Sequence, residues 1–122
     1  MKNITTVTDE ILLQTLFDCA EEKKAEYPVG LDMRQLEGPA AYFFICSGLS
    51  SPQIRAISEA IHKGVLEKHG IRPIKSDGTR ESGWMVLDFG SVMVHIFSKE
   101  KRELYTLEDL WRDADVIRNV PD

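Results

Sequence analysis

Asp88 and His95 are the two side chains of this sequence best equipped for chemistry, because a carboxylate and an imidazole can act together as general acid and base. Both belong to the stretch WMVLDFGSVMVHIF at residues 84–97, whose alternation reads as a β-hairpin. If Gly90 and Ser91 form its loop, a Gly-first pair suited to a type II′ turn, Phe89 pairs with Val92, Leu87 with Val94 and Met85 with Ile96. That face is wholly apolar and belongs to a core. The opposite face then carries Asp88 beside Met93, Val86 beside His95, and Trp84 beside Phe97. On this register Asp88 and His95 are two positions out of step on adjacent strands, at the diagonal limit of contact. No Ser, Cys or Lys nucleophile is pinned next to them. The pair therefore reads less well as a catalytic dyad than as part of an interaction surface or as a packed imidazole.

Other groupings carry weaker chemical signals. Gly48, Leu49, Ser50 and Ser51 lie between an apolar strand and a helix start, where free backbone N–H groups can cradle phosphate. Nucleotidyl transfer would also need paired carboxylates for Mg²⁺. The single Asp-x-Asp, Asp113 with Asp115, falls at the end of the last helix or in the tail, and on a helix the two acids would point about 200° apart. A nucleotide-binding or nucleotidyl-transfer enzyme using the 48–51 turn is thus the alternative reading, and a simple capped helix start the plainer one. His62 and His69 are separated by roughly 10.5 Å of helical rise, so they cannot share a metal and read as surface histidines. Cys19 and Cys46 lack paired spacing and read as buried free thiols. No metal or cofactor is implied.

The elements that must position these residues follow from patterning. Thr8, Asp9 and Glu10 open a helix through Leu12, Leu13, Leu16, Phe17 and Ala20. Val29, Leu31 and Met33 alternate as a half-buried strand. AAYFFICS at residues 40–47 is apolar on both parities, as a central strand covered on both sides must be. Ser51 as N-cap and Pro52 at N1 start a second helix, with a stripe at Ile54, Ile57, Ile61 and Val65 and a stop at Gly70. Residues 71–74 read as a short strand and KSDGTRESG as a polar loop. Beyond the hairpin, SKEKRE reads as a charged turn and Leu104–Tyr105 as a short edge strand. Thr106 then caps a last helix through Leu107, Leu110, Trp111 and Ala114, and residues 115–122 form a tail. The pattern is α/β or α+β: one domain over residues 1–122, with a mixed sheet of about five strands flanked by helices.

Bulk properties narrow the function classes. The net charge is −5, with 20 acids against 15 bases, and no basic stripe matches a phosphate backbone, so nucleic acid is not the expected main partner. A basic protein partner remains compatible with this charge. No apolar run approaches the roughly 18 residues of a membrane span, and the N-terminus lacks a signal-peptide core, so a soluble, cytoplasmic protein is expected. The mixed hairpin face has two readings. It is a second core layer under the last helix, or it is a protein-binding surface, for which aromatics and Met beside polar groups are usual. The last helix can also cover one end and leave the other for a partner. A homodimer that hides the same face also fits an apolar patch of this kind.

The hairpin followed by RELYTLEDLW resembles the signature of the Iojap-type ribosomal silencing factors, and the resemblance extends upstream through AYFFICSGLSSPQIRAI. It implies a nucleotidyltransferase-like fold without catalysis. It also implies a protein that binds the large ribosomal subunit through its protein fourteen, blocks joining of the small subunit, and represses translation under nutrient limitation. The family's shared positions fall on Trp84, Asp88, Gly90, His95, Phe97, Tyr105, Leu107, Glu108, Leu110 and Trp111. Partner contacts are expected at the outward members of that set, Trp84, Asp88, His95, Phe97 and Tyr105, together with Met93 on the same hairpin face. The chain departs from the family pattern at Ala41, where an Asp is usual, and at Gln53, where a His is usual. Phe89 and Ser91, around Gly90, replace Tyr or Leu and Asp.

Overall fold

A computed structural model describes residues 8–79 and 81–117. Its helices form where the apolar periodicity places them. Helix α1 (Asp9–Glu22) is capped by Thr8, whose hydroxyl accepts the Ile11 N–H at 3.1 Å, and it buries Leu12, Leu13, Leu16, Phe17 and Ala20. Strand β1 (Glu26–Asp32) follows, irregular around Pro28, which has no N–H to give a ladder. Strand β2 (Tyr42–Gly48) is buried along its whole length, as its double-parity apolar sequence requires. Helix α2 (Ser51–His69) buries Ile54, Ile57, Ile61 and Val65 and stops at Gly70, whose φ is 68°. Its N-cap is Ser50, one residue before the expected Ser51: Ser50 takes the extended conformation and accepts the Gln53 N–H at 3.2 Å.

Strands β3 (Lys75–Thr79), β4 (Trp84–Asp88) and β5 (Val92–Ser98) come next, then helices α3 (Lys99–Tyr105) and α4 (Leu107–Leu110) and strand β6 (Asp115–Ile117). Among the described residues the sheet has six strands in the order β3-β4-β5-β2-β1-β6, one more than expected. Only β2 and β5 run parallel; the remaining neighbours are antiparallel. Four expectations fail here: the last helix stops at Leu110 instead of running on through Trp111 and Ala114, and Thr106, at a φ of 43°, gives it no side-chain cap. Residues 71–74 are not a strand; the strand is the polar segment 75–79, exposed at the sheet edge, where no buried face forces alternation. Leu104 and Tyr105 end a helix rather than form an edge strand, because Ser98 caps SKEKRE by accepting the Lys101 N–H at 3.1 Å. The start of the expected tail, residues 115–117, joins the sheet against β1; residues 118–122 lie outside the described residues.

Helices α1 and α2 cover one face of the sheet over Phe44, Cys46, Leu87, Val94 and Ile96. The segments after β5 cover the other, where Leu107, Ala114 and Trp111 meet Leu31, Phe43, Ile45 and Phe97. The hairpin is therefore not a lone ribbon. It lies between two layers, and its second face sits at the margin of the smaller one.

Candidate functional site

The hairpin adopts the register its sequence implies: Trp84 lies opposite Phe97, Met85 opposite Ile96, Val86 opposite His95, Leu87 opposite Val94 and Asp88 opposite Met93. Gly90 has a φ of 92°, the positive value a Gly-first two-residue loop demands, and the Phe89 N–H donates to the Val92 carbonyl at 2.9 Å. Asp88 stabilises the same turn, its Oδ1 accepting the Gly90 N–H at 2.8 Å. Ser91 donates to Asp9 Oδ1 at 2.6 Å, which ties the loop to the start of α1.

Asp88 and His95 are not brought together as a dyad. His95 is 5% exposed and packs against Phe43, with ring centroids 4.6 Å apart. Its Nδ1 accepts the indole N–H of Trp84 at 3.1 Å. Burial pushes its pKa down to about 4, so the ring is neutral at physiological pH. Phe97 is fully buried and stacks on Trp84 at 5.0 Å. Trp84, Asp88 and Met93 are half-buried, and Tyr105 is 44% exposed. Of the six expected contact residues, four thus reach the surface, while His95 and Phe97 lie beneath them.

The cover over this face is α3, which the sequence reading made a turn and a strand. Its Tyr105 ring lies 4.6 Å from Trp84, and together with Val86, Asp77, Ser82 and Lys101 the two aromatics line an open depression of about 400 Å³. Arg102 holds α3 in place. Its guanidinium donates to Glu108 Oε2 at 2.6 Å, to Ser47 Oγ at 3.1 Å and to the Glu26 carbonyl at 3.3 Å, linking α3 to α4, β2 and β1. Sequence reasoning missed this clamp, since an arginine inside a charged run carries no mark of burial.

The Gly48 turn lies at the carboxyl ends of the parallel strands β2 and β5, where open α/β sheets commonly bind ligands. Here the turn is engaged by its own chain. Leu49 donates its N–H to Gln53 Oε1 at 2.6 Å, and Gln53 Nε2 donates to the carbonyls of Lys23 and Lys24 at 3.2 and 3.0 Å. The Asp113–Asp115 pair lies at the other end of the sheet: Asp115 pairs with Asp32, which pairs with Tyr42 at the start of β2. The length of β2, about 20 Å, separates it from Gly48.

His69 is half-buried rather than a free surface residue, its Nε2 lying 2.7 Å from the Thr15 hydroxyl and so joining α2 to α1. Among the described residues no group of three His, Cys, Asp or Glu side chains can hold a metal, and no helix is long and apolar enough to cross a membrane. Both cysteines are free, Cys46 fully buried and Cys19 partly so.

Comparison with known proteins agrees with the hairpin signature. A protein of Halalkalibacterium halodurans named ribosomal silencing factor RsfS is 36% identical over 111 residues, covering 91% of this chain and 94% of its own. The Bacillus subtilis protein of the same name is 39% identical over 103 residues, covering 84% and 86%. A crystal structure of a protein from Bacillus halodurans superposes with a TM-score of 0.77 at 34% identity, over 89% of this chain and 98% of that one. The family model described as ribosomal silencing factor during starvation matches residues 6–122, so that fold, hairpin and surrounding sequence converge: the chain belongs to the family of ribosomal silencing factors.

Proposed function

We propose that this protein represses translation by docking on the large ribosomal subunit through its protein fourteen, thereby keeping the small subunit from joining under nutrient limitation. The observation that carries the reading is the depression framed by Trp84 and Tyr105, an apolar hollow with polar margins resting on a sheet that is packed from below. Exposed aromatics backed by a rigid core are typical binding hot spots. The net charge of −5 suits a basic ribosomal protein. Asp88 and Met93 extend the same face toward the hairpin loop, while Phe97 and His95 act through the ring they support.

No group transfer is required, and the distance between the Gly48 turn and the Asp113–Asp115 pair supports a non-enzymatic role over nucleotidyl transfer. Co-sedimentation tests the assignment. Wild-type protein should travel with free large subunits and be absent from joined ribosomes. Trp84→Ala should weaken binding by about 2 kcal/mol, roughly 30-fold, and Asp88→Lys should do so by charge reversal. Wild-type binding by both folded variants would remove this surface from consideration. Titration calorimetry with Mg²⁺ and nucleoside triphosphates should show no heat, and saturable heat would restore the enzymatic alternative.

A further inference from the structure

The Trp84 side chain has one hydrogen-bond donor, the indole N–H, and the fold directs it inward, to His95 Nδ1 at 3.1 Å. Accepting at Nδ1 places the ring proton of neutral His95 on Nε2. That Nε2 is buried and, among the described residues, has no hydrogen-bond partner. An orphaned buried donor is unfavourable, so a layer built only for packing would be better filled by a Phe or Leu beside Phe43 and Phe97. What the imidazole adds over such a residue is an acceptor beneath the indole.

We infer that His95 is a positioning and specificity residue of the docking surface: it fixes the Trp84 indole with its N–H turned into the protein, so that the ring offers the partner a donor-free face suited to an apolar side chain. The inference rests on the docking reading and names the chemistry of that same site. The residues around the indole agree with it. Val86 and the Tyr105 ring continue the apolar floor of the depression, with Asp77 and Lys101 supplying its charged lining. A partner presenting a carbonyl or carboxylate to Trp84 would find no donor on the indole, whereas an aliphatic group would meet ring and methyl surface.

The test is a double-mutant cycle on affinity for purified large subunits, read beside Trp84 fluorescence in the free protein. His95→Leu removes the acceptor; His95→Asn keeps an oxygen close to the place of Nδ1. His95→Leu should weaken binding at least tenfold and His95→Asn less than threefold. Trp84→Phe, which deletes the donor and keeps an aromatic face, should weaken binding only a few-fold. In that background His95→Leu should have no further effect beyond twofold, since no indole remains to be held. In free protein carrying Trp111→Phe, His95→Leu should red-shift Trp84 emission and raise its quenching by acrylamide, and His95→Asn should do neither. Equal losses for His95→Leu and His95→Asn, an undiminished effect of His95→Leu in the Trp84→Phe background, or an unmoved emission would each overturn the inference. Should the wild type fail to bind large subunits, the docking reading falls, and the fluorescence arm still decides whether His95 holds the indole.

Discussion

Acidification should destabilise this protein as soon as the pH falls below about 6.5, and His95 is the reason. In the unfolded chain this imidazole takes up a proton near its ordinary value of 6.5, while in the folded protein burial holds the pKa at about 4. As pH falls through that window the unfolded state binds the proton first, so stability present above pH 6.5 is lost progressively and the loss levels off below pH 4. Integrating the two titrations gives about 2 kcal/mol lost by pH 5 and about 3 kcal/mol by pH 4. His69, whose pKa is also lowered by burial, adds a loss of the same sign. Asp32 is held below the usual carboxylate range by its hydrogen bonds from Arg34, so its contribution disappears only at more acidic pH. The difference between wild type and His95→Asn isolates the buried imidazole, since every other group titrates in both. Urea unfolding between pH 7.5 and 4.5, followed by far-UV circular dichroism, should show the wild-type midpoint falling toward that of the variant by roughly 1 M at pH 5. Parallel midpoint curves would refute the argument and mean that the ring is protonated, or reached by water, in the folded state.

Two further perturbations probe the elements that frame the same surface. Arg102→Met removes the donor to Ser47, Glu26 and Glu108 and leaves the Glu108 carboxylate without its ion pair. Chemical denaturation should register a loss of about 2 kcal/mol, and amide exchange should accelerate in α3 and α4 before the rest of the chain. Gly78→Ala drives a Cβ into the Trp84 carbonyl oxygen, at a φ of 83° that L side chains rarely adopt. A drop of at least 2 kcal/mol in unfolding free energy, or loss of amide protection along β3 and β4, is the expected outcome.

How much of this was legible depended on whether burial could be read locally. The core strand β2 and the helices α1 and α2 announce themselves because each buries a face whose period is fixed by its own backbone: Tyr42 to Ser47 with no polar parity before the final serine, and Ile54, Ile57, Ile61 and Val65 on one stripe. The hairpin register followed from a two-residue loop and a period of two, both local quantities. Strand β3 is the contrary case. Lys75, Ser76, Asp77, Gly78 and Thr79 form a strand only because the edge of β4 offers backbone partners, and an edge exposed on both faces leaves no apolar trace. Strand β6 escaped for a similar reason, as three residues recruited by the free edge of β1.

The face proposed for docking was harder than either, because its burial is decided by a different element. Nothing within residues 84–97 distinguishes a Trp that ends half-covered from a Phe that ends fully covered; both occupy the same parity. The distinction comes from α3, and α3 forms because Ser98 caps it and Arg102 anchors it across the chain to Ser47 and the Glu26 carbonyl. Those bonds span 55 and 76 residues of sequence. The same geometry explains why aromatic residues can stand at this surface without collapsing into it. Phe97 stacks beneath Trp84, His95 holds its N–H, and Tyr105 abuts its side. An indole restrained from three directions loses little rotamer freedom when a partner arrives, and preorganisation of that kind raises affinity without enlarging the contact. On the proposed docking, a small acidic domain can bind tightly through this depression because the rings that frame it are already in place, and the buried residues of the hairpin face are the ones that put them there.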